Sequence, residues 1–600
     1  MIRSTQKNWH RLALAAALFA LCLATPSLAD GIVSPMAWIA PDVPPGDSSD
    51  RIANTSFVQQ GFTSSAANNA AIKALPTVHA TSVARLGFSA PGDAPPVTYT
   101  FNTSACSLNS GAGDNGSQIA PNSGTGCWIA SLPTPAPFTI WGADSTGTAY
   151  SNVAVQAALN SGVCNLIFPK GTFRLAPGLT VTVPCEIRSA PGATITTDVA
   201  TGDLFLISGT SFFTGAITNI RNLTITSSVV RTGGAYIHCT SVCNIWNPNF
   251  FKHAIGIDID GATQSLIFGG NYRNATPESA YANSTHIWVH GAADSVNIIS
   301  PTSFTDSQVA ADQPRSCLHV ESADALIVAN PDLILCRSVM LVDPGAGETV
   351  LSTQLNGGFL DTPMGSTGAA LEITTKGGAV ARFTATGTAI GDAVGGSDIV
   401  LNVTGTTGGL NTFICNACML LGNGVNVYGV DIRSQFVHDV QFTGGCIASN
   451  GTANVHSVAG PTDIRFIGVG HGDPGQSCAG PISPTGFIVD GVVGRWDISH
   501  NDLSGPAAKI TGLSFLQNSF VSDNIGLNPI GSSTVTVGAS PFTHCAGATP
   551  ETDYIAGGTV TSIITQTSVT GLTSGAFALG ANECIGISYT VAPFLTVSVH

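Results

Sequence analysis

Through the middle of the chain, short runs alternate apolar and polar residues, and the runs recur. Ile257-Asp258-Ile259-Asp260-Gly261 is followed by Ser265-Leu266-Ile267-Phe268, and Ile287-Trp288-Val289-His290-Gly291 by Val296-Asn297-Ile298-Ile299. Leu318-His319-Val320-Glu321 precedes Ala325-Leu326-Ile327-Val328, Met340-Leu341-Val342-Asp343 precedes Thr349-Val350-Leu351, and Leu371-Glu372-Ile373-Thr374 precedes Ala381-Arg382-Phe383. The pattern returns at Phe487-Ile488-Val489-Asp490 and at Ala508-Lys509-Ile510-Thr511. Period-two alternation of this length predicts half-buried strands. Successive units begin 30, 31, 22 and 31 residues apart. No unit this short can bury its own apolar face, so neighbours must stack. Strands that return to one place after a fixed rise predict an all-β, single-stranded parallel β-helix. The competing arrangement, a series of antiparallel sandwiches, needs hairpin turns that the unequal Gly/Ser-rich connections do not supply.

Alternation turns Ile257, Val289, Leu318 and Val342 inward and stacks the intervening residues outward in columns about 4.8 Å per step. One column reads Asp258, Trp288, His319, Leu341, Glu372. The next, two residues along, reads Asp260, His290, Glu321, Asp343, Thr374. Glycoside hydrolysis uses two carboxylates roughly 5 to 9.5 Å apart. Asp260 and Glu321, two coils apart, are expected about 9.6 Å apart at the backbone, and Glu321 and Asp343 are one coil apart. Crowded like charges raise one carboxyl's pKa and favour a protonated acid. The candidate catalytic residues are therefore Asp260, Glu321, Asp343 and His319, with Asp258, Trp288 and His290 as substrate-binding groups. The indole offers an apolar surface for a sugar ring. Lyase chemistry would use His290 or His319 as base, with Arg273 or Arg315 facing an anionic sugar. The plain alternative is turn chemistry: Asp260 precedes Gly261 and Asp343 precedes Pro344, and Asp favours such turns. A polar ladder also simply solvates the outside of a coil. Gly470-His471-Gly472 resembles a polygalacturonase motif, but that family's partner motifs are not found.

Composition narrows the setting. Arg3, Lys7 and Arg11 precede an apolar stretch from Leu12 to Ala24, and Ser27-Leu28-Ala29 offers small residues for cleavage. This predicts a signal peptide over residues 1–29. Its apolar stretch is too short to cross a bilayer, which takes about twenty residues, and no membrane span is expected. Of 21 Lys+Arg, three leave with it, so 18 remain against 36 Asp+Glu, a net charge of −18. So acidic a chain argues against nucleic acid as partner. Of fifteen Cys, fourteen lie beyond the signal. An even number in an exported chain implies disulfides. Nearest-neighbour pairing gives Cys106/Cys127, Cys164/Cys185, Cys239/Cys243, Cys317/Cys336, Cys415/Cys418, Cys446/Cys478 and Cys545/Cys584, although spacing alone does not settle connectivity. Cys415-Asn-Ala-Cys418 has a redox or metal reading as the alternative. No cofactor and no metal are expected; a calcium ion on Asp258 and Asp260 is a further cation site considered, without further support.

Ile140-Trp141-Gly142-Ala143-Asp144-Ser145-Thr146-Gly147, then Val155-Gln156-Ala157-Ala158-Leu159 and Leu166-Ile167-Phe168-Pro169-Lys170-Gly171-Thr172-Phe173, resembles the opening of the pectate-lyase-superfamily β-helix, a short capping helix included. Asp144-Ser145-Thr146-Gly147 stands where that opening usually has "GDG". Pro45 to Gln59 resembles a phage tail-fibre repeat. Leu86 to Asp93, with Tyr99-Thr100-Phe101 and Gly126-Cys127-Trp128, resembles the small module preceding tailspike helices. Ser540-Pro541-Phe542-Thr543, Gly557 to Ile563 and Ser588 to Pro593 resemble a C-terminal β-module of such proteins. The resemblance implies a right-handed helix and a homotrimer. The expected domains are 1–29 signal peptide, 30–135 N-terminal tail-protein-like module, 136–528 parallel β-helix and 529–600 C-terminal sandwich-like module. Signal and cysteines point to a tail-derived architecture used in an exported bacterial protein, periplasmic, extracellular or at the cell surface. The expected partner is a polysaccharide. The expected function is a glycan depolymerase, hydrolase or lyase, with a non-catalytic carbohydrate-binding adhesin or a purely structural protein as alternatives.

Overall fold

The structure, a computed structural model, describes residues 64–76, 82–209, 216–365, 367–404, 409–472, 478, 482–566 and 568–600. The expected signal peptide over residues 1–29 and the segment 45–59 that resembles a tail-fibre repeat lie outside the described residues. A five-stranded sheet spans Ser64 to Ser131. From Ala136–Pro137 to Phe520–Ser522 the chain winds as a parallel β-solenoid.

Most coils send one strand into each of three parallel ladders. In one coil these are Ile255–Asp260, Leu266–Phe268 and Asn271–Arg273. The first ladder holds 13 strands, from Leu179–Val181 to Ala508–Thr511. Its register is the one the periodicity predicts: Ile257 faces Ile287, which faces Leu318, then Met340 and Leu371. Ile257, Val289, Leu318 and Val342 are fully buried. The third strand of each coil is invisible to periodicity, because three residues with a single inward side chain, as in Asn271–Arg273, show no period. Thr349-Val350-Leu351 departs from the expected position. Thr349–Val350 belongs to a small three-stranded ladder, and the main ladder continues through Thr353–Asn356.

The corner between the second and third strands has one recurrent conformation. Asn222, Asn247, Gly269, Ser300, Asn330, Gly357, Gly387, Ala417, Gly444, Gly468, His500 and Asp523 each follow a strand of that ladder, and all have φ between +48° and +66°. Gly and Asn tolerate this left-handed geometry best, which explains why they hold eight of these twelve corners.

The expected capping helix forms over Asn152–Asn160 and buries Ala154, Val155, Ala158 and Leu159. Its amide side chains serve the open edge of the first ladder. Gln156 Nε2 donates to the Thr180 carbonyl and Gln156 Oε1 accepts from the Thr180 amide, both at 2.9 Å. Asn152 does the same for Ala176. An edge whose N–H and C=O groups are occupied in this way cannot recruit a foreign strand.

After the last coil, two four-stranded antiparallel sheets close the chain with their own core of Ile555, Ile563, Phe577, Ile585, Ile587 and Leu595. No helix among the described residues is long and apolar enough to cross a membrane.

Six of the seven expected cysteine pairs are disulfides, which settles the connectivity that spacing left open. They are Cys106 with Cys127, Cys239 with Cys243, Cys317 with Cys336, Cys415 with Cys418, Cys446 with Cys478, and Cys545 with Cys584. The bonded pairs do different work. Cys243 opens the strand that follows the strand ending at Cys239, so their bond closes one corner within a single coil. Cys243 is fully buried, its Sγ 3.9 Å from the Ser265 hydroxyl of the next coil. Cys478 is set apart from the main core instead. With Cys446 and Ala448 it makes a small separate cluster, and it reaches Cys446 across 32 residues. Its Sγ also lies 3.4 Å from the Gly472 amide. The Cys415–Cys418 bond removes the metal reading of that pair. The seventh pair is a correction: Cys164 and Cys185 are free thiols. They precede the directly paired residues Asn165 and Glu186 on adjacent coils, so the expected proximity holds while the bond does not. Burial pushes the Cys185 thiol up to about 12, which keeps it protonated.

Because each coil's inner face is completed by its neighbours, Ile257→Ala is expected to destabilise by about 2–5 kcal/mol. A lower urea midpoint checks this; an unchanged midpoint contradicts the stacked core.

Candidate functional site

The outward face of the first ladder brings the candidate groups into register. His238 pairs with Asp258, Asp258 with Trp288, Trp288 with His319, His319 with Leu341, and Leu341 with Glu372. In the next column Asp260 pairs with His290. The ladder continues past the strand ends through the Glu321 amide on the Val289 carbonyl and the Asp343 amide on the Val320 carbonyl. Asp258, Asp260, Trp288, His290, His319, Glu321 and Asp343 therefore share one face.

They form two groups separated by an indole. In the first, His290 Nε2 lies 2.7 Å from Asp258 Oδ1, and His290 Nδ1 lies 3.6 Å from Asp260 Oδ1. His238 Nε2 lies 3.6 Å from the other Asp260 oxygen, and His238 Nδ1 lies 2.8 Å from Asp203. The groups within reach of Asp258 and Asp260 are thus imidazoles, whereas calcium takes six to eight oxygens. This argues against the calcium reading. His238 and Asp203 escaped sequence reading, although Ala235-Tyr236-Ile237-His238-Cys239 has the same alternation one coil earlier.

In the second group His319 Nε2 lies 2.5 Å from Asp343 Oδ1 and 3.5 Å from Glu321 Oε1. Asp343 Oδ2 accepts from Lys376 Nζ at 2.5 Å and faces Arg315 at 3.5 Å. Arg315 also donates to Glu278 at 3.0 Å, and Arg337 donates to the same carboxylate. His319, Glu321 and Asp343 each bring one ligand atom within 4.8 Å of the others. Lys376 and Arg315 already neutralise that pocket, which disfavours a second cation there. Trp288 lies parallel to the His319 ring at 5.4 Å and tilted over His290 at 4.4 Å. One face of the indole is therefore occupied by His319.

Burial sorts these groups. The side chains of Asp260, Glu321 and His290 are 40%, 25% and 21% exposed. Those of His319 and Asp343 are 2% and 1% exposed, beneath any ligand. Glu321 is held above the ordinary Glu range by burial and by the charges of Asp343 and Glu348, against the pull of His319 and His290. Asp343 goes the other way: burial raises it, but the His319 hydrogen bond and Lys376 together bring it below its usual value. Burial draws His290 down, yet the Asp258 hydrogen bond and the charges of Asp260 and Glu321 hold it above the free imidazole. The raised carboxyl of Glu321 suits an acid, and the buried charge of Asp343 beside it helps to hold it so.

The other sequence candidates are structural or already paired. His471 is fully buried and pushed down to about 3 by burial, with Nδ1 facing Asn454. Arg273 pairs with Asp306. Farther along the same face lies a station the sequence did not single out. Asp431 holds His456 at 2.7 Å and Arg433 at 2.6 Å, His456 reaches Asp490 at 3.0 Å, and Tyr428 stacks on His456.

No family model matches the chain, and no curated protein matches its sequence. Among solved structures it is similar to a tailspike protein of Acinetobacter baumannii phage AM24, 14% identical over 91% of this chain and 96% of that one, with a TM-score of 0.42. It is similar to tailspike protein gp49 of Acinetobacter baumannii bacteriophage Fri1, described as a capsular polysaccharide depolymerase, at 10% identity, 90% and 97% coverage and a TM-score of 0.42. It is similar also to the tailspike protein of E. coli bacteriophage HK620 in complex with a pentasaccharide, at 11% identity, 82% and 98% coverage and a TM-score of 0.45.

The His290–Asp258 pair has a pH signature. A folded-state pKa raised above about 6.5 gives stability that is complete below that pH and is lost as pH rises through the folded value. The melting-temperature gap between wild type and Asp258→Asn is expected to be widest below about pH 6.5 and to narrow on the alkaline side. A gap independent of pH would show that the pair is not charge-assisted.

Proposed function

We propose that the chain is a glycan-cleaving hydrolase whose substrate lies along the outward face of the coils between residues 255 and 376. The observation that carries this is Glu321, a part-exposed carboxyl biased toward its protonated form, two coils from the more exposed carboxylate Asp260. In this reading Glu321 protonates the leaving glycosidic oxygen. Asp260, with His290 beside it, activates the attacking water. A backbone separation of about 9.6 Å over two strand spacings falls near the upper end of the range used by inverting enzymes. Asp343 and His319, being buried, act as positioning residues: their charge and contacts set the acidity and orientation of Glu321. The edge of Trp288, rather than its covered face, would border the sugar.

A lyase reading is less favoured, since Arg315 and Arg273 are already engaged by carboxylates and a uronate needs a cation to neutralise it. A non-catalytic carbohydrate-binding surface is the second reading. Its support is the extent to which Asp258, His319 and Asp343 are already satisfied by neighbouring side chains. Export and a homotrimer go with either reading, and light scattering on protein recovered outside the cell tests both.

A polysaccharide panel assayed for new reducing ends tests the hydrolase. Glu321→Gln and Asp260→Asn are each expected to lower turnover by about 10²–10⁴-fold with folding intact. Full activity in both variants would refute the assignment, absorbance from an unsaturated product would mark a lyase, and binding without turnover would leave the adhesin.

A further inference from the structure

In the C-terminal module, the strand Glu551–Ala556 turns residues 551, 553 and 555 toward the interior, following its alternating burial. Ile555 joins the apolar core there. The other two inward positions are acidic: Glu551 is 5% exposed and Asp553 is 0% exposed. Across from them, in the other sheet, the strand Phe542–Cys545 points His544 inward, next to the Cys545–Cys584 disulfide. His544 Nε2 lies 2.8 Å from Glu551 Oε1 and 3.8 Å from Asp553 Oδ1. The three groups each offer a ligand atom within 4.8 Å of the others.

Asp553 is the telling member. Both its oxygens are buried, and neither accepts a hydrogen bond from any donor among the described residues. Its one cationic neighbour among those residues is His544 at 3.8 Å, which is already hydrogen-bonded to Glu551, so a single imidazole faces two buried carboxylates, a costly arrangement. We infer that His544, Glu551 and Asp553 bind a divalent first-row transition-metal ion such as Zn²⁺, which ties the two sheets of the C-terminal module together.

The geometry suits that class of ion. Ligand bonds of about 2.0–2.2 Å place neighbouring tetrahedral donors roughly 3.3–3.6 Å apart, and the observed 2.8 and 3.8 Å bracket that spacing. One nitrogen with two carboxylate oxygens favours such ions over calcium, which wants six to eight oxygens, and over thiolate-seeking copper(I). Side-chain exposures of 18%, 6% and 0% describe a nearly closed site, and with three protein donors a water would complete the tetrahedron. His544 is held by one sheet and the carboxylates by the other, so the ion would act as a staple beside the disulfide.

The test uses the full chain, stripped with EDTA and exchanged into buffer at about pH 7.5, where a ligating imidazole can give up its proton. Titration with ZnCl₂ is expected to load one ion per chain at this site, and loading is expected to raise the melting temperature. Calcium and magnesium are expected to give no such rise. Cobalt(II) should give d–d absorption that zinc abolishes, a readout that needs no variant. His544→Ala and Asp553→Asn should each lose the ion, whereas His319→Ala should keep it. Melting indifferent to zinc and EDTA would overturn the inference, because the trio would then hold only protons. Unchanged zinc loading in the two C-terminal variants would overturn it equally, because the ion would then sit elsewhere.

Discussion

Each interior strand of the solenoid meets its backbone hydrogen bonds on the coils before and after it, in parallel register. That constraint governs the rest. Whatever side chain sits at one position of one coil is stacked about 4.8 Å from its counterpart on the next. Inside, this is favourable, since apolar columns such as Ile257, Ile287 and Leu318 pack in register along the lumen. Outside, it disfavours long runs of one charge, because like charges directly opposite destabilise a strand pair.

The outward face obeys that restriction by alternation. His238, Asp258, Trp288, His319, Leu341 and Glu372 follow one another with no carboxylate directly on a carboxylate. The neighbouring column breaks the rule once, where Glu321 meets Asp343. The surroundings answer this locally: Asp343 is sunk among His319, Lys376 and Arg315 and stays ionised, while Glu321 is left at the surface with its proton held more firmly. The one like-charge contact in these two columns is thus also the place where an acid and a carboxylate are differentiated.

The ends of the stack pose the opposite problem, since a terminal coil has a partner on one side only. At the start, Gln156 and Asn152 act as backbone mimics on the first edge. At the finish, Ala548 of the C-terminal module accepts the Val521 amide and joins the main core. That module carries its own irregularity, two inward carboxylates facing an imidazole between its sheets.

Sequence alone determined the solenoid, its first ladder and the outward columns, because period-two alternation that recurs every 22 to 31 residues leaves few ways to stack. It also determined which cysteines are neighbours, but not which of them bond: Cys243 and Cys478 are bonded while Cys164 and Cys185 are not, and that depends on how each corner turns. Three-residue strands, the extra corner ladder at Thr349–Val350 and the left-handed corners were out of its reach for the same reason. Burial was likewise decided by the tertiary structure. His319, Asp343, Glu321 and Asp260 look alike as outward polar residues, yet the surrounding side chains cover the first two and leave the others at the surface. The same holds for Glu551 and Asp553: Glu-Thr-Asp-Tyr-Ile-Ala has two equally plausible phases, and only the facing sheet decides that the acidic one points inward.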